Sequence, residues 1–292
     1  LIDTIAGPSL FIKEVFKSLE PLDTIIGNDI FMNKNSLFIQ DLFSEDTIPK
    51  QHAEQSIDNV DLSKKELDSL IIAFDRVKFE KKPSLRKAEL LETIGGIKDD
   101  KALPFFEKVY KNSVDTFILQ VATLEALAKM ESEKSFSTFK NLLLEEAPLT
   151  DNTYKINSIF YELNDTLELA ANLYPDILEL TSYPEYKSNI YSLLAQLIDS
   201  NKIDTNKYRP QLRKITREAK DELKRQYASE SKSAISYYGS SDSYDDLLDD
   251  FVTILAPFYN QEDGVKEYFK RQLRSQNKTL KMNTVLGLTK NN

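Results

Sequence analysis

ELLETIGGIKDDKALPFFEKVY, residues 89–110, lies on ATLEALAKMESEKSFSTFKNLL, residues 122–143, at an offset of 33. Leu91 meets Leu124, Glu92 meets Glu125, and Ile94 meets Leu127. Ile97 meets Met130, Lys101 meets Lys134, and Phe106 meets Phe139. Each copy carries apolar residues at helical period, breaks at a polar joint, and resumes the period. A helix–turn–helix unit of this length cannot bury its apolar face alone. Units stacked in tandem share one core, which is the signature of an α-solenoid. The expected fold is therefore all-α, an α-α superhelix.

Working outward, apolar stripes continue on both sides. Phe117, Val121, Leu124 and Ala128 form one, and Phe136, Phe139, Leu142 and Leu143 the next. Ile156, Ile159, Phe160 and Leu163 follow, then Leu167, Ala170, Ala171 and Tyr174, where Pro175 kinks or restarts the helix. Ile190, Leu193, Leu194, Leu197 and Ile198 make the cleanest stripe. Three more run through Tyr208–Leu223, Leu247–Phe258 and Val265–Leu273. Short polar joints between such stripes favour antiparallel neighbours. The pairs at 151–180, 184–228 and 244–276 keep the rhythm but lengthen it. An irregular helical bundle carries similar stripes; the tandem match and the seven glycines favour the superhelix. Ser63-Lys64-Lys65-Glu66 has the pattern of a capping box, and Asp165-Thr166-Leu167-Glu168 repeats it. Residues 1–62 look different, with Gly7, Pro8, Pro21, Gly27 and Pro49 among short apolar bursts. Phe11, Val15, Phe16 and Leu19 fit one short amphipathic helix, but Ser36–Ile39 and Asp41–Phe43 are too short for another. The expected division is an irregular arm or cap over 1–62, then a solenoid of about five helix pairs over 63–292 with a long loop at 229–246.

Composition excludes several chemistries. The 292 residues include no cysteine, no tryptophan and one histidine. Thiolate chemistry, disulfides, Cys-type zinc and multi-histidine metal sites have no material to form from. Neither a metal nor a cofactor is expected. His52 lies in a polar stretch and reads as a surface residue. No run approaches the roughly 20 apolar residues that span a bilayer. The opening Leu1–Gly7 lacks a basic segment followed by a long apolar one, so the chain reads as an excised piece or a mature form. The absence of cysteine fits the cytosol and an exported bacterial protein equally. The net charge of −9 is uneven: residues 1–204 hold 22 basic and 35 acidic side chains, and 205–292 hold 16 and 12. An acidic chain argues against general nucleic-acid binding, yet its basic last third marks where a partner would dock.

Ser84-Leu85-Arg86-Lys87 leading into Leu90-Leu91, then Asp99-Asp100 and Leu103-Pro104-Phe105-Phe106, resembles a HEAT-type repeat. That resemblance, loose over about two thirds of the chain, implies an interaction scaffold. The run Leu119–Leu127 followed by Phe139–Pro148 is similar to the C-terminal helical part of large Bacteroidetes TraB/GumN-type proteins. It implies a non-catalytic region, because that family's active-site residues lie in domains upstream.

Two constellations are candidate binding sites. Arg209, Arg213, Arg217, Lys220 and Lys224 are spaced by four, four, three and four, so they align on one helix face. This stripe suits an anionic partner, or is a solvated face neutralised by Glu218, Asp221 and Glu222. Tyr237, Tyr238 and Tyr244 lie among serine, glycine and aspartate in the 229–246 loop, a composition like that of a paratope or of a plain linker. Asp242, Asp245, Asp246, Asp249 and Asp250 lack EF-hand spacing and read as an acidic helix start. Asp99-Asp100 and Glu145-Glu146 are acid pairs at helix edges. The expected function is a non-catalytic helical-repeat scaffold that binds a protein and belongs to a larger chain. The alternatives are polyanion or nucleic-acid binding through the basic helices, and a helical-barrel enzyme using acidic residues.

Overall fold

The computed structural model describes residues 10–18, 33–150, 153–233 and 246–290. Among them the chain is all-α, with no strand. The helices are α1 (Leu10–Ser18), α2 (Asn35–Leu42), α3 (Thr47–Gln55), α4 (Leu67–Arg76), α5 (Pro83–Gly96), α6 (Leu103–Asn112), α7 (Phe117–Lys129) and α8 (Glu133–Glu145). There follow α9 (Thr153–Asn164), α10 (Leu167–Ala170), α11 (Pro184–Asp199), α12 (Thr205–Tyr208), α13 (Leu212–Ser233), α14 (Asp246–Leu255), α15 (Asp263–Gln272) and α16 (Lys278–Lys290).

Local chemistry sets the helix ends. Pro83 opens α5 and Pro184 opens α11, where a missing N–H costs nothing. Ser132 and Ser135 form a reciprocal capping box on α8. Lys98, Glu131 and Asn201, just beyond α5, α7 and α11, all take positive φ of 50–55°. The same left-handed stop therefore recurs 33 and then 70 residues on, about one and two repeat lengths. Lys202 N–H closes the stop after α11 by donating to the Leu197 carbonyl at 2.8 Å, a Schellman bond.

The helices pack in two ranks. One runs α5, α7, α9, α11, α14, α16, each touching the next. The other runs α6, α8, the 3-10 segments of 171–182, α13 and α15. Gly95 sits where α5 crosses α7 so closely that a Cβ there would lie 2.5 Å from the Ala126 carbonyl oxygen. One continuous core holds Leu91, Ile94, Phe106, Leu124, Phe139, Leu194, Tyr208, Phe251 and Phe269, all fully buried.

Polar contacts between neighbouring units recur at nearly constant separation. Lys98–Glu131 (2.6 Å), Lys134–Asp100 (3.1 Å) and Lys111–Glu145 (3.2 Å) bridge consecutive units. Lys140–Asp176 (2.8 Å), Lys202–Glu168 (2.5 Å) and Lys187–Glu222 (3.2 Å) continue the series. The Tyr110 and Tyr186 hydroxyls donate to the Glu146 and Pro148 carbonyls at 2.6 and 2.7 Å. Partners in this series stand 32 to 38 residues apart. Contacts from α12 through α13 that span 234–245 step up to separations of 44–53, as in Tyr208 to the Ile254 carbonyl (3.0 Å) and Lys220–Glu267 (3.3 Å). That step is close to the length of 234–245, the segment joining α13 to α14.

Three sequence expectations change. The region read as an irregular arm holds regular helices α2 and α3. Phe38, Leu42, Ala53 and Ile57 join the main core, so packing stabilises helices too short to stand alone. Asp46 caps α3, and Pro49 falls in its first turn, where proline is tolerated. The stripe Leu167–Tyr174 is no three-turn helix; α10 has four residues and short 3-10 segments carry the chain to Ser182. The expected loop at 229–246 begins later, because α13 runs to Ser233. At the far end of the described residues, α16 packs with Leu280 and Thr284 buried.

Candidate functional site

The basic stripe lies on α13 and the turn before it, facing the start of α15. Between them is an open groove of about 1050 Å³. Among the described residues its walls hold seven basic ones (Arg209, Arg213, Lys214, Arg217, Lys220, Lys224 and Arg271) and two acids (Asp221 and Glu262). Gly264 and Val265 form the opposite wall at the first turn of α15, whose N-cap Glu262 makes no side-chain capping bond.

The acids expected to neutralise this stripe mostly turn away from it. Glu218 accepts from the Tyr191 hydroxyl at 3.1 Å and the Thr181 hydroxyl at 3.3 Å. Glu222, with a side chain only 8% exposed, pairs with Lys187 at 3.2 Å and Arg225 at 2.6 Å. Only Asp221 stays with the stripe, bound to Lys224 at 2.8 Å; that bond and nearby cations hold its carboxyl below the usual range. Arg209 reaches Glu262 at 3.8 Å and lies over the Phe258 ring, and Lys220 reaches Glu267. Lys214 is drawn inward to the Leu178 carbonyl, and burial pushes its ammonium down from the usual range. Arg213 and Arg217 are exposed and form no ion pair within 4.0 Å among the described residues. The structure thus brings all five basic candidates to one groove and leaves two arginines, one turn apart, without an ion pair within 4.0 Å among the described residues. Lys214, Arg271 and the α15 wall belong to the groove as well, and sequence reasoning missed them.

The other candidates fall elsewhere. Tyr237, Tyr238 and Tyr244 lie outside the described residues, as do Asp242 and Asp245. Asp249 accepts from the Asn283 side chain at 2.8 Å. His52 is exposed on α3. The acid pairs hold the stack together: Asp99 caps the turn before α6, Asp100 accepts from Ser132 at 2.9 Å, and Glu145 pairs with Lys111. No group of three His, Cys, Asp or Glu among the described residues is placed to hold a metal. No described helix is long and apolar enough to cross a membrane.

A second polar face lies on α5, α7 and α9, around Glu92, Glu125, Lys129 and Glu162. Lys129 bridges Glu92 at 3.0 Å and Glu162 at 3.9 Å. Burial pushes the Glu125 carboxyl above its usual 4.5, aided by Glu92 and opposed by Ser158 and two lysines. A raised folded pKa means the native state holds this proton more tightly than the unfolded chain, so ionising Glu125 costs native stability. Its contribution falls as pH rises above 4.5. Glu125→Gln is therefore expected to melt higher than wild type at pH 7–8, with the difference closing below about pH 4.5. Thermal melts across that range check this; a constant difference at all pH values would contradict it.

No protein-family model matches this chain, no curated protein matches it, and no solved structure matches it.

Proposed function

We propose that this chain is a non-catalytic, HEAT-like helical-repeat module that holds partner proteins. The observation that carries this reading is the series of cross-unit contacts at separations of 32 to 38 residues. Units joined by one repeated set of contacts build an array, and an array presents long lateral faces to partners. The uncovered charge of the α13–α15 groove supports a polar, electrostatically guided contact on one of those faces.

The test is affinity capture from the native cell with the purified chain, followed by binding measurements on each captured protein in pure form. Saturable binding at micromolar affinity or tighter supports the proposal. Turnover of a small molecule by the chain itself, or no captured protein that binds when pure, would count against it.

A further inference from the structure

We propose that the α13–α15 groove binds an extended acidic peptide segment carrying carboxylates at alternate positions. This rests on the interaction-module reading and names the chemistry of one partner contact. Three observations lead to it. First, among the described residues seven basic side chains against two acids line the groove, which favours an anionic occupant. Second, Arg213 and Arg217 have no ion-pair partner within 4.0 Å among the described residues, whereas Arg209, Lys220 and Lys224 already have acids at that range. Arginine at such positions offers a rigid fork that takes a carboxylate through two parallel bonds. Third, the dimensions fit. Residues one turn apart on a helix place their Cβ atoms about 5–6 Å apart. Alternate residues of an extended peptide lie about 6.6 Å apart on one side. An acid–x–acid pattern thus sets one carboxylate on each free arginine. From Arg209 to Lys224 the groove is about 22 Å long at 1.5 Å per residue, room for about six extended residues.

The groove favours a peptide over a nucleic acid. Among the described residues no aromatic side chain lines it to give bases a stacking surface. The remainder of the chain, with 35 acidic against 22 basic residues over 1–204, repels a long polyphosphate.

The experiment is fluorescence anisotropy on the whole chain at low and moderate salt. The probes are a labelled hexapeptide with alternating glutamate and serine, the same composition with its three glutamates contiguous at one end, and a hexathymidylate of single-stranded DNA. The alternating peptide is expected to bind most tightly and to weaken with salt. Arg213→Gln with Arg217→Gln should weaken it by at least about tenfold, while Lys108→Gln on α6, outside the groove and paired to Asp75 at 3.6 Å, should change it by about twofold or less. Arg213→Lys with Arg217→Lys keeps the charge and loses the fork, so it should fall between; it also serves if the glutamine variant fails to fold. Equal binding of the two peptides, tighter binding of the DNA, indifference to the arginine variants, or no binding at low salt would each overturn the proposal. Captured partners that bind the pure chain while all three probes fail would sink the groove assignment and leave the interaction module standing. Failure of the capture with the peptide result intact would do the reverse.

Discussion

Gly95→Ala is expected to lose roughly 1–3 kcal/mol of stability, and its neighbour Gly96→Ala to gain roughly 0.5–1 kcal/mol. Alanine is the better helix former by about 1 kcal/mol, so at an open site the change stabilises. Gly96 is such a site, with nothing within 4 Å of an added Cβ. At Gly95 the added carbon would lie 2.5 Å from the oxygen and 2.7 Å from the Cα of Ala126. Those are backbone atoms of α7, so no side chain can swing away. The only relief is to push α5 and α7 apart, which opens the contact between consecutive units. Chemical denaturation of the two variants side by side separates the effects. A stabilised Gly95→Ala would mean the close crossing of α5 and α7 is wrong.

Phe139→Ala should cost more, roughly 3–5 kcal/mol. Phe139 is fully buried on α8 and stacks on Phe136 with ring centroids 6.3 Å apart. Its removal strips a large apolar area from the core and leaves a void that rigid helices on several sides cannot close. The tandem register sets Phe106 of α6 in the equivalent place, also fully buried. Phe106→Ala should therefore cost a similar amount. By contrast, Tyr154 and Tyr161 are 74% and 70% exposed on α9, and replacing either should shift stability by less than about 0.5 kcal/mol. Melting curves of the four variants give the comparison, and a Phe139→Ala protein as stable as wild type would remove this phenylalanine from the core.

The all-α class was legible because it rests on local periodicity. At the 33-residue offset, Phe106 and Phe139 are both fully buried, and Lys98 and Glu131 both follow a helix end with positive φ. The short helices α2 and α3 were not legible, since their order comes from packing on each other and on α4, which buries Phe38 and Leu42. Nor did local period foretell that 171–182 would break into 3-10 turns. At the groove, the five basic residues were readable as a stripe. Their missing counter-charges were readable too, with one further step. At about 100° per residue, Glu218 and Glu222 fall on one flank of the Leu212–Leu223 apolar stripe and Arg213 and Arg217 on the other. What no spacing along α13 contains is the opposite wall, because Gly264 and Arg271 arrive from another helix.

Zero-length carbodiimide cross-linking, read by mass spectrometry, tests most directly that the chain is a stack of units in one register. The coupling joins a lysine to a carboxylate only when the two already touch. Lys98–Glu131, Lys134–Asp100, Lys111–Glu145 and Lys202–Glu168 should be joined, at separations of 33 and 34 residues, and Lys220–Glu267 at 47. Long-range cross-links scattered over unrelated separations, with these pairs unjoined, would contradict the stacked-repeat account.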